Sequence, residues 1–192
     1  MVALTGASGV GKSTLLHILG GLDRPTEGTV RINGINLNEQ SDTSLAKFRR
    51  EQLGFVFQFH YLLDDFSALE NVMMPMLINN VDMSSARERG EQLLDRVGLA
   101  HRMKHRPKQL SGGEQQRAAV ARALANKPTV VLADEPSGNL DTATGRMLHD
   151  LLFQLNSELK TTFVIATHNR ELAERCTREL ALVSGSLEGT QA

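Results

Sequence analysis

The sequence is poor in the features that would tie it to several broad protein classes. It holds a single cysteine, Cys176, in 192 residues. Neither an internal disulfide nor a thiolate metal cluster can form, and a reducing compartment is expected. It lacks a charge excess of either sign: 21 Lys and Arg against 22 Asp and Glu give a formal net charge of −1. A nucleic-acid binder normally carries a strong positive excess, so no nucleic-acid partner is expected. Long apolar runs are missing too. The longest are short, such as Val130-Val131-Leu132-Ala133, and no direct membrane insertion is expected. The Gly-rich stretch from Gly6 interrupts any apolar core of a secretory leader. These absences point to a cytosolic protein, or to one attached to a membrane only through a partner. Internal repeats and low-complexity tracts are also lacking.

What is present is ordinary globular chemistry, with 41% hydrophobic and 22% charged residues. The length suits a single domain over residues 1–192, built as a core of 1–66 and 107–192 with a mostly helical sub-lobe at about 67–106. The apolar run at residues 2–5 reads as a buried strand that feeds a glycine loop. From Lys12, the 3–4 spacing of Leu15, Ile18, Leu19 and Leu22 predicts a helix, stopped by Gly20-Gly21 and Pro25. Residues 28–37 read as strand, Asn33-Gly34 turn, strand, and 53–59 as a further apolar run. The 67–106 stretch carries Met73, Met74 and Met76 and a charged helix. Ser85 and Glu88 have the spacing of a capping box for that helix, Leu93, Leu94 and Val97 line one face, and Gly98 ends it. From residue 111 the pattern alternates: helix 113–126, strand 129–133, helix 143–159, strand 162–167, helix 169–176, strand 179–183. That alternation predicts an α/β fold with a mostly parallel sheet flanked by helices.

Residues 6–14 read GASGVGKST and match G-x-x-x-x-G-K-[ST]. Glycines at 6 and 11 let the backbone N–H groups of the loop converge on one anion, and the helix that follows adds the positive end of its dipole. The whole stretch (Gly6, Ala7, Ser8, Gly9, Val10, Gly11, Lys12, Ser13, Thr14) is expected to cradle phosphates. Lys12 would neutralise β- and γ-phosphate oxygens, and the Ser13 hydroxyl would bind Mg²⁺. Residues 130–135 read VVLADE, a buried strand ending in two carboxylates. Alone this is an ordinary polar strand end. Beside a glycine loop, Asp134 would hold Mg²⁺ through water and Glu135 would accept a proton from an attacking water. In LSGGEQQR, residues 110–117, Ser111 and Glu114 have capping-box spacing. Gly112 and Gly113 leave the first N–H groups unscreened, which makes a second anion-binding helix tip.

The string LSGGEQQR resembles the signature motif of ABC-type ATPases. GASGVGKST and VVLADE resemble the family's two phosphate and metal motifs. Gln58 in FVFQFHYLL, Asp141 in SGNLD and His168 in VIATHNR fall where the family places its glutamine loop, aspartate loop and switch histidine. The resemblance implies a P-loop NTPase core of ABC ATPase fold, with ATP and Mg²⁺ as cofactors. It implies a homodimer in which ATP is sandwiched between the glycine loop of one copy and the signature helix of the other. Ser111 and Gly113 would then touch the γ-phosphate in trans. Gln58 would contact Mg²⁺ and the water, His168 would hold the γ-phosphate and position Glu135, and Asp141 would act across the seam. On their residues alone, Gln58 reads as a polar strand cap and His168 as a surface histidine. Their roles rest on the resemblance. Ser137 and Asn169 stand where relatives usually have threonine and aspartate.

The segments FQFHYLLDDFSALENVMMPML, HRPKQLSGGEQQR and LADEPSGNLD are more closely similar to ATPases of lipoprotein-releasing transporters of Gram-negative bacteria, over essentially the whole chain. The implied function is ATP hydrolysis that powers release of lipoproteins from the inner membrane toward the outer membrane. Two integral-membrane permease subunits would hold the protein on the cytoplasmic face of the inner membrane. Their coupling helices would dock in the cleft between core and helical lobe; Phe57, Phe59, Tyr61, Leu62 and Leu63 either line that cleft or belong to the core. An ATPase of a macrolide-efflux-type or other exporter, and a nucleotide-binding module with weak or no ATPase, remain open. ABC-type ATPases that act on DNA or ribosomes fit less well, because the helical lobe is short and the chain holds one cassette. The family carries a few dozen residues before the glycine loop, including antiparallel strands and an adenine-stacking aromatic. With Gly6 so close to Met1, the expectation is a fold lacking part of that antiparallel β-subdomain.

Overall fold

Short continuous apolar runs and period-3.6 apolar patterns sort this chain into layers, as the computed structural model, which describes residues 1–191, makes visible. Strands β1 (Val2–Thr5), β4 (Leu53–Val56), β5 (Val130–Asp134), β6 (Thr162–Ala166), β7 (Arg178–Val183) and β8 (Ser186–Gln191) form one sheet in the order β4-β5-β6-β1-β7-β8. All neighbours pair in parallel except β7 and β8, which are antiparallel. Strands β2 (Arg31–Ile32) and β3 (Ile35–Asn36) form the expected hairpin, with Asn33 and Gly34 both at positive φ in its turn.

Alternation along β5 and β6 divides the core in two. Val131, Ala133, Phe163 and Ile165 join Leu148, Leu152 and Leu155 of α6 (Thr142–Leu159) on one face. On the other face, Leu132 and Ala166 join Leu4 of β1 and Leu16 of α1 (Lys12–Leu19). A slip of one residue would exchange these faces and force side chains sized for one core into the other.

Helices α3 (Ala68–Ile78) and α4 (Met83–Arg96) pack on each other and on α5 (Gly112–Ala123). Leu93, Leu94 and Val97 are buried there, and Gly98 turns the chain at φ 72. The Ser85–Glu88 capping box does not form. Asp82 caps α4 instead, its carboxylate accepting the Ser85 N–H at 3.0 Å, and Glu88 lies further along the helix, accepting from Gln92. Aspartate is a strong N-cap, and it stands three residues earlier than Ser85, so it satisfies the first free amides. A capping box does open α3, made by Ser67 and Glu70. Helix α2 (Asp42–Gln52) and β8 carry too few apolar residues to stand out in the sequence; α2 buries only Leu45 and Phe48. A short helix α7 (Arg170–Glu174), capped by Asn169, completes the order. Among the described residues no helix is long and apolar enough to cross a membrane.

The register brings the carboxyl ends of three strands side by side. Leu4 of β1 and Asp134 of β5 both lie opposite Ala166 of β6. The segments leaving Thr5, Asp134 and Ala166 therefore emerge at one sheet edge, the place where open α/β sheets hold ligands.

Candidate functional site

At that edge β1 turns into the loop 6–11 and then into α1. Gly6 has φ 145, and a Cβ there would lie 2.5 Å from the Leu182 carbonyl oxygen, so a side chain is excluded where the loop passes β7. Gly11, at φ 106, caps α1 without any side-chain hydrogen bond. The N–H groups of Lys12, Ser13 and Thr14 precede the first intrahelical acceptor and form an open donor tip. Ala7, Ser8, Ser13 and Thr14 are exposed, while Val10 packs inward against Leu4 and Leu16. Lys12 is buried and folded back, its Nζ donating to the carbonyls of Gly6 at 2.9 Å and Ala7 at 3.0 Å. The loop is thus closed by the ammonium that an anion would attract.

Asp134 ends β5 with a buried Oδ1 that has no hydrogen-bond partner among the described residues. A buried carboxylate oxygen without a partner is costly. A hard cation prefers oxygen donors such as this carboxylate and the Ser13 hydroxyl, so the donor set fits Mg²⁺. Glu135 follows at φ 44, a left-handed backbone that costs a non-glycine residue about 1–3 kcal/mol. Its surroundings hold it there. The Glu135 N–H donates to the Ala166 carbonyl at 2.9 Å, and the Glu135 carbonyl accepts the Gly138 N–H at 2.9 Å. Oε1 accepts the His168 backbone N–H at 3.0 Å and lies 2.8 Å from His168 Nδ1. An ionised carboxylate only accepts, so Nδ1 carries the proton and Nε2 faces away. The Glu135 side chain is 18% exposed and that of His168 73%.

Gln58 is exposed, and its side chain is engaged by Asn139. Gln58 Nε2 donates to Asn139 Oδ1 at 3.0 Å, and Asn139 Nδ2 donates to the Gln58 carbonyl at 3.1 Å. This amide pair ties the segment after β4 to the segment between β5 and α6. Helix α5 braces the same segment from behind. Gln116 Nε2 donates to the Phe57 carbonyl at 2.8 Å, and the Arg122 guanidinium donates to the carbonyls of His60 at 2.7 Å and Tyr61 at 2.6 Å. Asn139 lies inside SGNLD and Gln116 inside LSGGEQQR, but nothing in spacing alone shows that they meet Gln58 and Phe57.

The capping box of α5 is present. Ser111 Oγ accepts the Glu114 N–H at 3.3 Å, and Glu114 Oε2 accepts the Ser111 N–H at 2.8 Å. The Ser111 N–H, with help from the Ser111 hydroxyl and Arg102, holds the Glu114 carboxyl below the usual range. The box uses the amides of Ser111 and Glu114 and leaves those of Gly112 and Gly113 at the tip. A Cβ on Gly113 would lie 2.4 Å from Thr144 Cγ2, so the tip rests on the start of α6. Asp141 caps α6, accepting the N–H groups of Ala143 and Thr144 at 3.0 Å each and the Thr144 hydroxyl at 2.6 Å. The hydroxyl bond is the main reason the Asp141 carboxyl titrates below its usual range. Asp141 shares a cavity of about 190 Å³ with Glu135 and His168. Among the described residues, no hydrogen bond joins the Ser111–Gly113 tip to residues 6–14.

Residues 1–138 match the family described as ABC transporter. The chain belongs to the ABC transporter family. It is 55% identical over 186 residues to the lipoprotein-releasing system ATP-binding protein LolD of Xanthomonas campestris pv. campestris, covering 97% of this chain and 78% of that one. The LolD protein of Xanthomonas axonopodis pv. citri is 54% identical over 97% of this chain and 76% of its own length. Among solved structures, the ATP-binding cassette MJ0796, in a dimeric post-hydrolysis state bound to ADP and Pi, superposes with a TM-score of 0.90 at 41% identity, covering 100% of this chain and 84% of that one. A second dimeric structure of this bacterial ABC transporter cassette gives a TM-score of 0.90 at 42% identity, with the same coverage.

In this ABC transporter ATP-binding chain the apolar segment after β4 is divided between core and surface. Leu62 is buried at 7% exposure. Phe57 and Leu63 line a groove of about 490 Å³ beside β4, together with Phe55, Met74, Pro75 and Ile78. Phe59 and Tyr61 are exposed, and Met73 and Met76 fill the core of the lobe.

Proposed function

We propose that this chain is the ATP-hydrolysing subunit of a lipoprotein-releasing transporter. It works as a homodimer on the cytoplasmic side of the inner membrane, attached through two permease subunits. The observation that carries the reading is the joining, at one sheet edge, of an amide-lined helix tip, a buried carboxylate oxygen without a partner among the described residues and the Glu135–His168 pair. The cargo follows from the names of the 55% identical relatives. The groove beside Phe57 and Leu63 suits an apolar coupling helix of a permease.

The chain's own groups account for the reaction. Triphosphate at the α1 tip draws Lys12 Nζ from the Gly6 and Ala7 carbonyls onto β- and γ-phosphate oxygens. Ser13 and Asp134 would hold Mg²⁺, with Gln58 joining them once it leaves Asn139. When bound, Mg²⁺ supplies Lewis-acid stabilisation of charge on the phosphate oxygens. Glu135 takes a proton from a water aligned with the γ-phosphorus. The water oxygen bonds to that phosphorus, the bond to the β–γ bridging oxygen breaks, and the products are ADP and inorganic phosphate. His168 fixes the Glu135 carboxylate through Nδ1–H, and with a proton on Nε2 as well it would donate to the γ-phosphate. A second copy presents its Ser111 hydroxyl and the Gly112 and Gly113 amides from the opposite side, and Asp141 lies at the seam.

The test is ATP turnover by the purified chain, alone and with its permeases in nanodiscs that hold a lipidated substrate. The expected result is Mg²⁺-dependent release of phosphate and ATP-dependent loss of lipoprotein from the disc. ATP binding without phosphate release under either condition would reduce the chain to a binding module. Turnover without lipoprotein release would assign it to another exporter.

A further inference from the structure

Helix α6 carries a buried histidine that none of the motifs contains. His149 is 2% exposed, and its Nε2 lies 2.8 Å from Ser137 Oγ. Its Nδ1 is buried without a hydrogen-bond partner among the described residues. An unpartnered ring nitrogen in the interior is a cost, and an apolar side chain of the same volume would avoid it. His149 also lines the 190 Å³ cavity whose wall includes Glu135 and His168.

Ser137 sits at the middle of the turn that sets Glu135. The Glu135 carbonyl accepts the Gly138 N–H at 2.9 Å, which closes a four-residue turn, and the Ser137 carbonyl accepts the Leu140 N–H at 3.1 Å. Glu135 opens this turn at φ 44. A left-handed glutamate persists only where its neighbours determine it from several sides. Ala166 and His168 hold its amide and carboxylate, and the Gln58–Asn139 pair holds the far end of the turn. The His149–Ser137 contact is the side-chain anchor between the turn and the middle of α6.

We infer that His149 is a positioning residue for ATP hydrolysis: through Ser137 it fixes the turn of residues 135–138 and so the backbone from which the Glu135 carboxylate reaches the attacking water. The inference rests on the ATPase reading given above. Either tautomer of the ring bonds Ser137, as donor or as acceptor, so the anchor is the contact itself.

The test compares His149→Phe, which fills the volume without a polar partner, His149→Gln, which can return an amide to Ser137, and Ser137→Ala, in the full chain. Amide hydrogen exchange at Gly138 and Leu140 is read without nucleotide, and kcat and KM for ATP are read separately. His149→Phe should speed exchange at both amides and lower kcat by about fivefold to tenfold, the scale of one lost hydrogen bond, with KM little changed. Ser137→Ala should do the same, the double variant should add nothing, and His149→Gln should restore both readouts. Unchanged exchange, or unchanged kcat, in both His149→Phe and Ser137→Ala overturns the inference. Should His149→Phe fail to fold, Ser137→Ala decides alone. A wild-type chain that releases no phosphate refutes the ATPase reading and with it the effect on turnover, while the exchange arm still decides whether His149 holds the turn.

Discussion

Glu135 Oε1 receives two contacts from His168, the backbone N–H at 3.0 Å and Nδ1 at 2.8 Å. One residue of the β6 exit thus orients the carboxylate at the β5 exit twice. Glutamine at position 135 keeps a carbonyl oxygen for the His168 amide but cannot take a proton. Glu135→Gln should therefore bind ATP with wild-type affinity and lower kcat by about 10²–10⁴-fold. Size-exclusion chromatography with ATP should trap it as a dimer. Wild-type single-turnover rates in this variant would remove Glu135 from the role of base.

Lys12 offers a sharper loss. Its ammonium is buried and already oriented by two loop carbonyls. Lys12→Ala removes the only side-chain cation that the Gly6–Thr14 stretch supplies. Two charge-assisted bonds to phosphate, each worth about 1.5–3 kcal/mol, would go with it. Calorimetry should show ATP affinity lower by at least about 100-fold, with the melting temperature in the absence of nucleotide changed little by comparison. Unchanged affinity would place the phosphates elsewhere.

Much of this arrangement is legible in the amino-acid sequence. The pattern at residues 6–14 is local: glycine spacing, a following helix and a lysine specify a loop closed by Lys12 in front of an uncapped helix start, and the chain adopts that loop. The continuous apolar runs of β5 and β6 likewise read as strands buried between helices. Legibility fails where rival caps compete, where long-range partners decide and where few side chains are buried. Ser85 has the right neighbour at Glu88, yet Asp82 reaches the free amide first. Gln58 reads as a metal contact by resemblance, but in this structure it bonds Asn139, 81 residues away. His149 looks like any polar residue on a helix until its contact with Ser137 is visible. Helix α2 buries only Leu45 and Phe48, too few for a periodicity to emerge.

The signature tip depends on close approach at Gly113. A Cβ there would meet Thr144 Cγ2 at 2.4 Å. Gly113→Ala should force α5 and α6 apart and destabilise the chain by about 1–3 kcal/mol, the usual cost of overpacking. ATP binding by one copy should survive, because among the described residues no hydrogen bond ties the tip to residues 6–14, but ATP-dependent dimerisation should be lost. Thr144→Ser removes the obstructing methyl and keeps the hydroxyl bonded to Asp141. The Gly113→Ala/Thr144→Ser pair should recover most of the lost stability in urea unfolding. A pair no more stable than Gly113→Ala alone would show that the methyl contact is not the cause.

His149 also makes a prediction about pH. Burial is the largest cause lowering its pKa, and Arg175 adds to it; Glu171 and Asp150 oppose. Arg146 and His168 line the same cavity and add positive charge when protonated. The unfolded chain therefore binds a proton at this histidine at a higher pH than the folded chain does. Stability from this group is complete above its ordinary value of 6.5 and falls as pH drops below it, until the folded histidine also protonates. Chemical denaturation at about pH 7.5 and about pH 5.5 should show a smaller acid loss in His149→Phe than in the wild type. At the higher pH the imidazole is mostly neutral in both the folded and the unfolded chain, so this group adds little slope there. Equal acid losses in the two proteins would mean that His149 is not the group whose protonation is resisted by the fold.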